Sequence, residues 1–166
     1  LLSFCQDAKL WLYWRLPPDS DTLLLSNKGY ASRQMIVSEP IISRITQLAK
    51  QNTDISAIWL YGSRAQGRSR PDSDYDLAIA FNDFSLDHLA RYNRPHCLAL
   101  DWATELNLPE NQLSIVDINL APIYLAYQII DTGQLLYSNG SPRAWQEITR
   151  INSLFEYQQR EASNET

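Results

Sequence analysis

Gly62-Ser63 is followed by ten residues and then by Asp74-x-Asp76. Residues two apart in an extended strand point to the same face, so both aspartates are expected to project together. Two carboxylates that close repel, and one is driven towards protonation unless a cation sits between them. Hard cations such as Mg²⁺ take oxygen ligands and accept phosphates as the rest of their shell. Gly62-Ser63 closes the apolar run Ile55–Tyr61. A glycine there lets the backbone approach a ligand. The serine hydroxyl and the following N–H groups can hold a phosphate, particularly where a helical turn begins. Each half of the pattern is common alone. Together, at fixed spacing, four such residues occur by chance in roughly a few chains per thousand at average composition.

A third carboxylate is available. Asp117 ends the apolar run Leu113–Ile118, with Ile115 on the same face. If that strand neighbours the Asp74/Asp76 strand, Asp117 is expected to join them. Three carboxylates can hold two metal ions roughly 3.5–4 Å apart, the arrangement that serves in-line displacement at phosphorus. The other reading of Asp117 is a strand-end cap. Arg64, Arg68 and Arg70 fall within seven residues, just before the acidic pair. A basic hairpin beside carboxylates suits a phosphate–metal ligand; a solvated loop with surface ion pairs is the alternative. His88, His96 and Cys97 share a segment, but their spacing matches no zinc pattern and reads as ordinary helix.

These residues need a frame. Ser38 is placed to cap a helix carrying Ile41, Ile42, Ile45, Leu48 and Ala49. Ile55–Tyr61 and Tyr75–Phe81 read as strands, with the polar loop SRAQGRSRPDSD between them. Residues 85–107 read as helix in two pieces, broken at Pro95. Leu113–Ile118 is a third strand. Pro122 opens another helix, Gly133 ends it, and Leu135–Tyr137 is a short last strand. Ser141-Pro142 starts a terminal helix with Trp145, Ile148, Ile151 and Phe155 near one stripe, and Arg143, Glu147 and Arg150 largely off it. The tail EASNET is expected to fray. Alternating strands and helices predict an α/β (α+β) fold with a small mixed sheet flanked by helices. Residues 1–34 read as an extension, 35–140 as the domain and 141–166 as a terminal helix and tail.

Composition sets the class. The chain has 166 residues, 45% of them hydrophobic and 20% charged, which is ordinary for a globular domain. No apolar run reaches the length of a membrane span. The first residues lack a basic region and cleavage site, so no signal peptide is expected. Cys5 and Cys97 alone imply buried thiols and a reducing, cytoplasmic compartment. The net charge of −5 gives no expectation of nucleic-acid binding. The balance is uneven, and the acidic residues concentrate after position 70.

The stretch GSRAQGRSRPDSDYDLAIAF resembles the GS-x10-D-x-D signature of the DNA polymerase β-like nucleotidyltransferase superfamily. From about residue 36 to 140 the order of elements resembles the minimal, MNT-type members, with LSIVDIN as the third-carboxylate strand and PIYLAYQIIDTGQLLY after it. The resemblance implies the polymerase β-like fold. It implies that Gly62, Ser63 and Arg64 hold the triphosphate of ATP. Asp74, Asp76 and Asp117 would bind Mg²⁺, as two ions, and Asp117 would help deprotonate the attacking hydroxyl. Many relatives read GSRARG; here Gln66 replaces the second arginine. The resemblance further implies an antitoxin paired with a HEPN-type ribonuclease toxin, transferring AMP to a tyrosine of it. A small-molecule adenylyltransferase of the aminoglycoside-modifying type and a non-catalytic antitoxin that neutralises by binding are the alternatives.

Overall fold

The computed structural model describes residues 40–164. The expected extension 1–34, the Ser38 cap and Cys5 lie outside the described residues.

Helix α1 (Pro40–Gln51) is followed by β1 (Ile55–Tyr61), a single turn α2 (Gly62–Ala65) and β2 (Tyr75–Phe81). Then come α3 (His88–Leu106), a short 3₁₀ turn, β3 (Leu113–Asp117), α4 (Ile123–Thr132), β4 (Gln134–Ser138) and α5 (Arg143–Asn164). The sheet order is β3-β2-β1-β4. β1 runs antiparallel to β2 and β4, while β2 and β3 are parallel. The expected small mixed sheet is therefore present.

The central strands are buried on both faces, which is why their sequences are nearly continuous apolar runs. One face carries Ile58, Leu60, Leu77, Ile79 and Phe81 against α1 and α3, through Ile42, Ile45, Ala99 and Trp102. The other carries Ala57, Trp59, Ala78 and Ala80 against α4 and α5, through Ala126, Ile129, Ile130 and Ile151. The small alanines make room for Trp59, which is 1% exposed. Burying side chains of this size stabilises the fold by roughly 1.5–3 kcal/mol each.

Three expectations are corrected. Pro95 does not split α3, which is continuous from His88 to Leu106. Proline removes one helix hydrogen bond, but Pro95 is itself buried in line with Ala99, Trp102, Ala103 and Leu106, and that packing holds the helix together. The side chain of Asp87 caps it by accepting from Ala90 N. The terminal helix runs to Asn164, the last described residue. Its stripe is shifted: Trp145 is largely exposed, while Glu147 is 1% exposed beside Ala144 and Ile151. Arg143 and Arg150 both pair with the Glu147 carboxylate, which makes its burial tolerable. Gly133 ends α4 for a reason other than a left-handed turn. A Cβ there would lie 2.3 Å from Ile129 O and 2.9 Å from Leu60 O, so glycine is what lets the chain pass this close to β1.

Candidate active site

β1 delivers Tyr61, and the chain then turns at Gly62 into α2. Gly62 has φ +70, a conformation that costs other residues roughly 1–2 kcal/mol. A Cβ on Gly62 would sit 2.3 Å from Asp76 Oδ2. The carboxylate of Asp76 therefore lies over the Gly62 backbone, and the two halves of the sequence pattern meet in space. Ser63 follows in the helical turn and is partly exposed.

The loop between α2 and β2 is held by Arg64. This residue is 7% exposed. Its Nε donates to Ser73 O at 3.0 Å and to Asp74 O at 3.1 Å, and Nη2 also donates to Ser73 O. Its guanidinium lies 3.8 Å from the centre of the Tyr75 ring. Nε, Nη2 and the planar face of Arg64 are directed to the protein, and the residue positions the segment that presents Asp74. Arg68 and Arg70 are exposed on the loop. Arg68 donates to Gln66 Oε1, and Gln66 Nε2 donates to Thr132 Oγ1 at 3.4 Å.

Asp74 is exposed and Asp76 half-buried. Burial first, and then the charge of Asp74, push the carboxyl of Asp76 above its ordinary value. Asp76 pairs with Tyr61 on β1 and with Ser114 on β3. Directly paired strand residues point to the same face, so Tyr61, Asp76 and Ser114 form a row. Burial, and then the charge of Asp76, raise the Tyr61 hydroxyl to about 12, against an opposing hydrogen bond with Ser114. Tyr61 thus remains protonated at neutral pH.

Asp117 is not in this row. It pairs with Ile79, three residues further along β2, and so belongs to the opposite face of the sheet. There it is 3% exposed. Its Oδ2 is 3.1 Å from Arg94 Nη2, and its Oδ1 accepts from Asn119 N at 2.9 Å. Arg94 also pairs with Asp54 at 3.1 Å, donates to Asp83 O and lies 3.9 Å from the centre of the Phe81 ring. The structure does not bring Asp117 together with Asp74 and Asp76: it sits as a buried anchor between β3 and α3. The alternative weighed for it, a strand-end cap, describes its bond to Asn119. The Ile115 face shared with Asp117 is the core face, and the parity of the strand was the available signal.

Asp74 and Asp76 supply two carboxylates on one accessible edge, which suits one hard cation. No group of three or more His, Cys, Asp or Glu residues converges among the described residues. Among the described residues no third carboxylate joins these two, so the expected two-ion, three-carboxylate arrangement is not assembled there.

Residues 43–141 match the family model for "Polymerase beta, Nucleotidyltransferase". The chain belongs to this nucleotidyltransferase family. The protein adenylyltransferase MntA of Shewanella oneidensis is 27% identical over 124 residues, covering 74% of this chain and 81% of the relative. A crystal structure of a toxin–antitoxin with AMP-PNP is 26% identical with a TM-score of 0.58. It covers 74% of this chain and 93% of that one. The MNT antitoxin in a complex with the tri-AMPylated HEPN toxin of Shewanella oneidensis is 22% identical with a TM-score of 0.54, covering 75% and 91%, and shares the fold.

Gly62 offers a direct check on this site. We expect Gly62→Ala to lower stability by about 1–2 kcal/mol, the strain of a side chain at positive φ. Nucleotidyl transfer should fall much further, because the added methyl displaces the Asp76 carboxylate. Thermal melts and rates on the same preparation separate the two effects. Equal transfer by the variant would show that Asp76 need not lie where it does.

Proposed function

We propose that this chain is a protein adenylyltransferase that acts as an antitoxin, moving AMP from ATP to a tyrosine hydroxyl of a HEPN-type ribonuclease toxin. The observation that carries the reading is the placement of Asp76 over the Gly62-Ser63 turn, with Asp74 beside it on an open edge. The similarity to MntA, a named protein adenylyltransferase, supports the choice of AMP and of a protein acceptor. The toxin–antitoxin bound to AMP-PNP supports ATP as the donor.

In this reading the Gly62 backbone and the Ser63 hydroxyl hold the triphosphate. Asp74 and Asp76 would hold Mg²⁺, which neutralises phosphate charge and lowers the pKa of an attacking hydroxyl. The acceptor oxygen attacks the α-phosphorus of ATP, its proton passes to water, the bond to the α–β bridging oxygen breaks, and pyrophosphate leaves. Arg64 keeps Asp74 and Asp76 in register with the turn. Tyr61, being protonated, offers a neutral hydroxyl beside them. The chain's main contribution is position and charge, which is sufficient for much of the barrier in phosphoryl chemistry.

The test is mass spectrometry of the partner after incubation with ATP and Mg²⁺. We expect one or more added AMP units, absent with Asp76→Asn. A partner that is inhibited but unmodified would replace this reading with neutralisation by binding alone.

A further inference from the structure

The position across from Asp76 on β3 is Ser114. It is the β3 residue paired with Asp76, on the same face of the sheet, and it is exposed. The next residue on that face is Val116, which packs against the α4/α5 core. The one carboxylate of β3, Asp117, is on the other face and engaged with Arg94. On the other side of Asp76 the row continues to Tyr61, again neutral. Asp76 is thus flanked by two hydroxyl-bearing residues, and among the described residues Asp74 is the carboxylate that adds its charge to it.

We propose that Ser114 is the third corner of the site and restricts it to a single divalent cation. This rests on the reading of Asp74 and Asp76 as cation ligands. Two ions roughly 3.5–4 Å apart repel strongly and need anionic ligands on both sides. Two carboxylates and a triphosphate satisfy one ion. A serine hydroxyl at the third corner adds a dipole but no charge, so a second ion is not retained there. Ser114 is then a specificity-determining residue for metal stoichiometry, and the acceptor hydroxyl approaches a corner without a carboxylate.

The experiment is a Mn²⁺ titration followed by electron paramagnetic resonance. The chain is mixed with an equimolar ATP analogue carrying a methylene between the α- and β-phosphates, so no transfer occurs and no acceptor is needed. We expect one tightly bound Mn²⁺ per chain for the wild type and for Ser114→Ala. Ser114→Asp should bind two, with the spectrum of a coupled pair. Two ions on the wild type, or one on a folded Ser114→Asp, overturns the proposal. Because the wild-type count is informative by itself, the proposal stays testable if Ser114→Asp fails to fold. Asp76→Asn should lose the tight ion. If Asp76→Asn binds as the wild type does, the assignment of the cation to Asp74 and Asp76 fails, which is a different result from a wrong count.

Discussion

Asp76→Asn should reduce AMP transfer by about 10³-fold or more while making the metal-free protein more stable at neutral pH. The first effect follows from losing one of the two carboxylates that meet at this site among the described residues. Metal stabilisation of the transition state is worth several kcal/mol, and each 1.36 kcal/mol is tenfold in rate. The second effect has the opposite sign. Burial and the Asp74 charge raise the Asp76 carboxyl in the fold. A raised folded pKa means that the protonated group is favoured by folding. That contribution is fully present below the unfolded carboxylate value and is lost as pH rises through the raised one. At neutral pH the wild type therefore carries an unfavourable charge, which asparagine removes without changing volume. The gap in melting temperature between variant and wild type should shrink as the pH falls into the carboxylate range. Melts of both proteins from neutral to acidic pH in chelator, with transfer rates at saturating Mg²⁺, check both halves. Near-normal transfer by the variant would remove Asp76 from the site.

The two effects together describe a site whose order is a cost to the fold. Asp76 is half-buried beside a second carboxylate, and Gly62 adopts a positive φ directly beneath it. Arg64 offsets part of this by tying the 73–74 backbone to α2 and covering the Tyr75 ring. Removing Arg64 is a change in positioning, distinct in kind from removing a ligand.

The sheet and the Gly62/Asp76 convergence were legible in the sequence because they depend on local signals. Apolar runs, a glycine break and same-face aspartates are all decided within about ten residues. What the sequence does not show depends on register or tertiary packing. Pro95 carries a breaker signal, and only its burial on the sheet side explains why the helix continues. Glu147 reads as a surface charge until Arg143 and Arg150 are seen around it. Arg64 reads as a phosphate contact because it follows Gly62-Ser63, yet its partners lie about ten positions downstream. Asp117 was assigned by its place at a strand end. A shift of an odd number of residues moves a side chain to the other face, and Asp117 is three residues from Ser114, the one opposite Asp76.

Asp117→Ala is expected to destabilise the fold severely and to leave the chemistry of the folded fraction almost unchanged. Removing one partner of a buried ion pair costs about 3–5 kcal/mol, because the remaining charge stays desolvated. Here the stranded group is Arg94, whose side chain is 12% exposed. Arg94 keeps Asp54, the Asp83 carbonyl and the Phe81 ring, so the lower end of that range is expected. For a domain of this size that is a fall in melting temperature on the order of 10 °C. The change also strips the Asn119 N–H of its acceptor at the start of the β3–α4 connection. None of this touches the Tyr61–Asp76–Ser114 row, which lies on the other face and roughly 10 Å along the strand at about 3.3 Å per residue. Transfer measured well below the melting temperature should remain within a few-fold of wild type, and the Mn²⁺ count should not change. Arg94→Met, which removes the other charge, should give a comparable loss of stability by leaving Asp117 unpaired. If Asp117→Ala instead melted like the wild type and lost transfer as Asp76→Asn does, Asp117 would belong with the reacting groups, and the register that separates it from them would be wrong.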